Sequence, residues 1–292
     1  LVDVAAIKKA KFKVVLDAVN STGGIFIPAL LDALGVTCVK LYCEPNGQFP
    51  HNPEPLKEHL GEISKQVVLE KAHLGIVVDP DVDRLALVCE DGAMFGEEYT
   101  LVACADYVLG ALNGGNTVSN LSSSRALRDV TEKHGGSYTA SAVGEVNVVV
   151  AMKETQAIIG GEGNGGIIYP ESHYGRDSLV GVALFLSHLA KSGMSCKELR
   201  ASYPSYFMSK NKIELTPALD VDAILREIAE HFKNEQVTTI DGVKIDFPSE
   251  WVHLRKSNTE PIIRIYTEST SQEKADALAH TLLTKIKEIA GR

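Results

Sequence analysis

Three carboxylates stand at alternate positions in Asp79-Pro80-Asp81-Val82-Asp83-Arg84. Acids at i, i+2 and i+4 of a tight loop can converge on one hard cation, whose charge offsets their mutual repulsion. Three monodentate carboxylates leave coordination positions open, which suits Mg²⁺ bound to a phosphoryl oxygen. A solvated acidic turn has the same spelling. An EF-hand is a poorer match, although Glu90 falls where that loop ends. Arg84 occupies the position where that loop needs glycine, and the flanks Gly75–Val78 and Leu85–Val88 are apolar strands rather than helices.

Two further loops offer chemistry. Gly160-Gly161-Glu162-Gly163-Asn164-Gly165-Gly166 lies between Ala157–Ile159 and Ile167–Tyr169. It formally contains G-x-G-x-x-G, but a dinucleotide fingerprint must open a helix, and here the glycines lead into an extended segment ended by Pro170. Glu162 would repel a phosphate, whereas Glu and Asn on a glycine-rich loop suit hydroxyl groups. A plain hairpin turn with polar tips is the alternative. The third loop is Arg255-Lys256-Ser257-Asn258-Thr259-Glu260-Pro261. Its arginine offers a two-pronged fork for phosphate or carboxylate, and its hydroxyls, amide and turn N–H groups can fill the remaining oxygens. Such residues also populate ordinary turns.

The elements that must position these loops follow a βαβα rhythm. Strands are predicted at Lys13–Leu16, Leu74–Val78, Leu85–Cys89, Thr117–Asn120, Ser137–Ser141 and Ala157–Ile159. Helices carry Leu30, Leu31 and Leu34, then Leu101, Ala105, Val108, Leu109 and Leu112, then Leu179, Val182, Ala183, Leu186 and Ala190. Ser202–Tyr206 reads as a linker. Beyond it come a helix through Val221, Ile224, Leu225, Ile228 and Phe232, three short strands, and a last helix. Thr270–Glu273 reads as the capping box of that last helix, and Ala275, Leu278, Leu282 and Ile286 form its apolar stripe. The fold class expected is α/β: two consecutive layered α/β domains with mainly parallel sheets, residues 1–95 and 96–203, and a small α+β C-terminal domain, residues 204–292. No internal sequence repeat is evident, although two successive α/β units suggest structural duplication.

Composition narrows the partners. The 292 residues carry 29 Lys and Arg against 38 Asp and Glu, a net charge of −9, with no basic cluster, which argues against a nucleic-acid partner. Apolar runs such as Val148–Met152 are far shorter than the ~20 residues that span a bilayer, so no membrane is expected. Five cysteines, odd in number and without a CxxC pair, point to a reducing, cytoplasmic setting. The chain opens on Leu1, a polar stretch and a strand, as an interior domain would.

The three loops, in this order, resemble the α-D-phosphohexomutase superfamily of phosphoglucomutases, phosphomannomutases and phosphoglucosamine mutases. The D-G-D-x-D-R, G-E-x-S-G-H and R-x-S-[GN]-T-E-P motifs match residues 79–84, 161–166 and 255–261. The resemblance implies that Asp79, Asp81 and Asp83 bind Mg²⁺. Glu162 and Asn164 would hold sugar hydroxyls, Arg255, Ser257, Asn258 and Thr259 the non-reacting phosphate, and Arg84 would stand beside the reacting phosphoryl group as a catalytic residue. Asn164 and Gly166 replace the usual serine and histidine of the sugar loop. The T-x-S-H-N-P loop, whose serine donates the phosphoryl group in the family, has no match, since Ser172-His173-Tyr174 and Ser187-His188-Leu189 lack the Asn-Pro. The chain is therefore expected to correspond to the second, third and fourth domains of a longer mutase, inactive alone, with the N-terminal phosphoserine domain and a hexose or hexosamine phosphate as partners. A phosphoglucosamine mutase and a non-catalytic sugar-phosphate and metal-binding module are the alternatives. Glu145, His173 and Arg125 are candidates for the general acid or base, and each also reads as a structural residue.

Overall fold

The computed structural model describes residues 1–214, 220–257 and 262–290. They form two compact units, one of residues 1–140 and 144–204, the other of 141–143 and 205 onward. The first unit opens with α1 (Val4–Ala10), β1 (Lys13–Asp17), α2 (Gly23–Ala33), β2 (Thr37–Leu41), α3 (Gly61–Leu69), β3 (Leu74–Val78) and β4 (Leu85–Cys89). The strands make one sheet in the order β2-β1-β3-β4, with β1 parallel to β2 and β3, and β4 antiparallel to β3. Every residue of β3 and β4 is buried. Strands covered on both faces read as continuous apolar runs, which is why their limits are legible in the sequence. On one face Val15, Val77, Ala86 and Val88 pack with Leu60, Ile63 and Val67.

The same unit continues with α4 (Glu97–Leu112), β5 (Asn116–Asn120), α5 (Ala126–Lys133), β6 (Ser137–Ser141), α6 (Glu145–Thr155), β7 (Ile159–Glu162), β8 (Gly166–Ile168), α7 (Ser178–Ser192) and α8 (Cys196–Ala201). The second sheet runs β6-β5-β7-β8, with β5 parallel to β7 and β8 antiparallel to it. This repeats the order of the first sheet, so the duplication exists in topology without a sequence repeat. Helix α4 is buried on nearly all sides from Tyr99 to Leu109, because it packs against β4 of one sheet, β7 and β8 of the other, and α7. Phe95 and Phe185 meet edge to face at 5.1 Å beside it. Asp177 starts α7 by accepting the N–H groups of Leu179 and Val180.

The expected linker at residues 202–206 is half absorbed. Tyr203 is buried and donates to Asp106 at 3.0 Å, while the Pro204 carbonyl accepts from the Tyr99 hydroxyl at 2.8 Å. The chain leaves the first unit only after Pro204.

The second unit holds β9 (Phe207–Glu214), α9 (Val221–His231), β10 (Gln236–Thr238), β11 (Val243–Asp246), β12 (Trp251–Lys256), β13 (Ile262–Ser269) and α10 (Gln272–Ala290). Its sheet is antiparallel throughout, in the order β10-β11-β12-β13-β9. Four strands follow α9 where three were expected, and β9 precedes it. As an edge strand of alternating, partly exposed residues, β9 carries too few apolar positions to signal itself. The core joins Val252, Leu254, Ile263 and Ile265 to Ile224 and Ile228 of α9 and to Leu282 and Ile286 of α10. The capping box at Thr270 does not form. Helix α10 starts one residue later, and Ser271 Oγ accepts the Lys274 N–H at 3.3 Å, so a lysine stands where the reciprocal carboxylate would have to be.

Candidate functional site

The acidic loop is the turn of the β3–β4 hairpin, closed where Val78 pairs with Leu85. Strands on both sides exclude the helix–loop–helix reading. Asp79 shapes the loop from inside: its Oδ1 accepts the backbone N–H groups of Asp83 at 3.0 Å and Arg84 at 2.9 Å. Val82 takes the left-handed conformation, φ 62°, which a β-branched residue adopts only when its surroundings impose it. One oxygen from each of Asp79, Asp81 and Asp83 then lies within 4.8 Å of the others. Burial, and after it the neighbouring Asp83 and Asp81, push the Asp79 carboxyl up to about 7 against its backbone hydrogen bonds. An all-oxygen donor set strained by its own negative charge fits a hard divalent cation.

The loop is braced on several sides. The Ser21 and Thr22 hydroxyls both donate to the Pro80 carbonyl, Thr22 at 2.8 Å. Ser178 N–H donates to the Val82 carbonyl at 3.0 Å. Arg84 remains on the loop, its Nη1 3.1 Å from Glu54 and its Nε 3.8 Å from Asp79 Oδ2.

The glycine-rich segment forms a second hairpin. Its strands reach further inward than expected: Gly160, Gly161 and Glu162 belong to β7 and Gly166 to β8, leaving Gly163–Gly165 as the turn. The segment opens no helix. Gly165, at φ +88°, receives the Leu85 N–H on its carbonyl at 3.0 Å, and a Cβ there would lie 2.4 Å from the Leu85 oxygen. This close approach joins the second hairpin to the base of the acidic one. Glu162 is buried and held by both oxygens: Oε1 accepts from the Asn120 amide at 2.8 Å and Oε2 from Arg176 Nη1 at 3.1 Å. Asn164 Oδ1 accepts the Gly166 N–H at 3.2 Å, so the half-buried side chain presents its amide as a donor.

In the second unit, Arg255 lies near the end of β12, with its Nε 3.3 Å from Asp241 and its backbone in register with Arg264. Ser257 is buried, its N–H donating to the Ile262 carbonyl at 3.0 Å. Asn258 and Thr259 lie outside the described residues, as do Glu260 and Pro261. His253, two residues before Arg255, donates through Nε2 to the Asp241 carbonyl at 2.7 Å, and burial pulls its pKa down to about 4.

Family models for phosphoglucomutase/phosphomannomutase match in sequence order: alpha/beta/alpha domain II at residues 1–92, alpha/beta/alpha domain III at 96–206, and the C-terminal domain at 213–285. The chain belongs to the phosphoglucomutase/phosphomannomutase family. It is 38% identical to a phosphoglucomutase/phosphomannomutase of Thermococcus kodakarensis, over 94% of this chain and 60% of the relative. It is 33% identical to a phosphoglucosamine/phosphogalactosamine mutase of Sulfurisphaera tokodaii, over 99% and 64%. The chain thus spans about three fifths of the length of these curated relatives. A crystal structure of a family protein from Burkholderia thailandensis superposes with a TM-score of 0.85 at 27% identity, covering 98% of this chain and 63% of that one. An N-acetylphosphoglucosamine mutase of Aspergillus fumigatus, solved in complex with GlcNAc-6P and magnesium, shares the fold at 14% identity and a TM-score of 0.67, over 97% of this chain and 68% of that one.

Several residues around these family motifs escaped sequence reasoning. Asn120 and Arg176 hold Glu162, and Ser21 and Thr22 hold Pro80. They lie 42, 14, 59 and 58 positions from their partners, and no periodicity links such separations. Among the acid–base candidates, Glu145 is engaged with Arg176, its Oε1 accepting the Arg176 N–H at 3.0 Å. His173 pairs with Asp177, the cap of α7, at 3.0 Å. Arg125 is buried immediately before α5. No helix among the described residues is long and apolar enough to cross a membrane.

Proposed function

We propose that this chain is the metal-, sugar- and phosphate-binding part of a phosphohexomutase that interconverts hexose 1-phosphate and 6-phosphate through a bisphosphorylated intermediate. The convergence of Asp79, Asp81 and Asp83 within 4.8 Å on the β3–β4 hairpin carries the reading. These three residues would hold Mg²⁺, which when bound supplies positive charge to the transferring phosphoryl group. Arg84 adds a guanidinium on the same loop. Glu162 accepts from sugar hydroxyls while Asn164 donates to them, and an acceptor beside a donor serves a hydroxyl in either orientation of the sugar. Arg255 and Ser257 hold the non-reacting phosphate, and Asn258 and Thr259 supply further donors to it. The phosphoryl donor is a phosphoserine on an N-terminal domain of the parent protein, so the chain alone binds ligands without turnover. Its five cysteines are all free, which fits a reducing, cytoplasmic compartment.

The amide that Asn164 presents favours a hydroxyl over the ammonium group of a hexosamine, because an ammonium has only donors. The phosphoglucosamine reading rests on relatives such as that of S. tokodaii. A coupled assay of the full-length gene product on glucose-, mannose- and glucosamine-phosphates decides between them. Faster turnover of the glucosamine compound would overturn the hexose assignment, and absence of turnover on all three would overturn the mutase. Calorimetric titration of the chain with MgCl₂ tests the metal site directly, and heat that persists unchanged in Asp81→Asn would remove it.

A further inference from the structure

Arg176, in the segment between β8 and α7, meets three carboxylates from three parts of the first unit. Its Nη2 donates to Asp83 of the acidic hairpin. Nη1 donates to Glu162 of the glycine-rich hairpin at 3.1 Å. Nε lies 3.4 Å from Glu145 at the start of α6, and the Arg176 backbone N–H also donates to Glu145 at 3.0 Å. Only 14% of its side chain is exposed. The space for its stem is made by Gly166, where an added Cβ would lie 2.3 Å from Arg176 Cδ and 3.1 Å from Cγ. The sugar-loop motif that this segment resembles has histidine at that position. Here the stem of a distant arginine fills the volume instead.

We propose that Arg176 is a positioning residue that links the metal loop to the sugar hairpin, so that it strengthens sugar-phosphate binding and weakens Mg²⁺ binding. This rests on the reading above, that Asp83 is a metal ligand and Glu162 a hydroxyl acceptor. A guanidinium presents its N–H groups in a rigid planar fork, so one side chain can bond two carboxylates at fixed mutual positions, which a lysine cannot do. Holding Glu162 Oε2 orients that carboxylate before sugar arrives. The charge of Arg176 also shares Asp83 with the cation, and two positive groups on one carboxylate oppose each other. Removing the arginine therefore moves the two affinities in opposite directions. A merely structural arginine would lower both together, and a mere neighbouring charge would alter only the metal.

Isothermal titration of the whole chain with MgCl₂, and then with glucose 6-phosphate, mannose 6-phosphate and glucosamine 6-phosphate at saturating Mg²⁺, tests the assignment. In Arg176→Gln the Mg²⁺ dissociation constant should tighten about tenfold, and that of the best-bound sugar phosphate should weaken about tenfold. Arg176→Lys keeps the charge without the fork, so its Mg²⁺ constant should stay near the parent value while sugar-phosphate binding still weakens. Gly166→Ala must displace the stem and should weaken sugar-phosphate binding too, an effect that shrinks in an Arg176→Gln background to the share owed to Asn164 Oδ1, 3.2 Å from the added Cβ. Circular dichroism melts identify variants that fold, and Arg176→Lys with Gly166→Ala carry the test if Arg176→Gln does not. Both affinities unchanged, or both weakened together in a folded variant, would overturn the proposal. A parent chain that binds neither MgCl₂ nor any of the sugar phosphates would overturn the functional reading and this proposal with it. Parent binding that Asp81→Asn abolishes but Arg176 variants leave alone would sink only the proposal.

Discussion

Replacing His253 by glutamine should remove a defined share of the acid sensitivity of the second unit. In the folded chain, burial holds this imidazole neutral down to about pH 4, against an ordinary value of 6.5. A histidine with a depressed folded pKa contributes its full stability above the unfolded value and loses it as pH falls toward the folded one. Between pH 6.5 and pH 4 the unfolded state binds the extra proton. Each pH unit in that window costs up to about 1.4 kcal/mol. Evaluated with these two pKa values, the loss from pH 7 is about 2 kcal/mol by pH 5 and about 3 kcal/mol by pH 4. Glutamine can place an amide donor near the position of Nε2 and keep the bond to the Asp241 carbonyl, but it does not titrate. The assay is urea unfolding followed by fluorescence of Trp251, the chain's single tryptophan, which is fully buried on β12 two residues from His253. Comparing parent and variant at each pH cancels the carboxylates common to both. The stability of the parent relative to the variant should fall by about 2 kcal/mol from pH 7 to pH 5. A gap constant to within about 0.5 kcal/mol would refute the assignment of a buried, neutral imidazole.

Other outcomes follow from the same geometry. Asp81→Asn should weaken Mg²⁺ binding at least about tenfold by calorimetry while changing thermal stability little, because Asp81 is exposed and its removal relieves repulsion on Asp79. Gly165→Ala should cost about 2–4 kcal/mol in scanning calorimetry, since it combines an unfavourable φ with a Cβ 2.4 Å from the Leu85 carbonyl. Asn120→Ala leaves Glu162 Oε1 without its amide donor and should weaken sugar-phosphate binding in titration by about tenfold, with the Mg²⁺ constant unmoved. Leu282→Ala in the second core should destabilise Trp251-monitored unfolding by about 2–5 kcal/mol.

Where chemistry is local, it was legible in the sequence. The two apolar runs on either side of Asp79, Asp81 and Asp83 mark the arms of a hairpin, and β3 and β4 have the limits their composition implies, since strands buried on both faces must be apolar throughout. Boundaries slipped where two signals overlapped. The glycines at 160 and 161 read as loop but lie in β7, where Met152 and the Gly166 carbonyl come too near for a side chain. Edge strand β9 stayed hidden because its residues satisfy one partner strand and solvent, with little apolar patterning to betray it.

By itself, then, the sequence determined the α/β rhythm and the apolar arms of the acidic hairpin, features whose physics operates within a few residues. Only the tertiary structure decided that Arg176 fills the space above Gly166, that Asn120 and Arg176 together clamp Glu162, and that the two sheets share one strand order around a helix buried on nearly all sides. These contacts join residues far apart in the chain. Their partners are chosen by which side chains the packed sheets bring within hydrogen-bonding range, and no local periodicity encodes that choice.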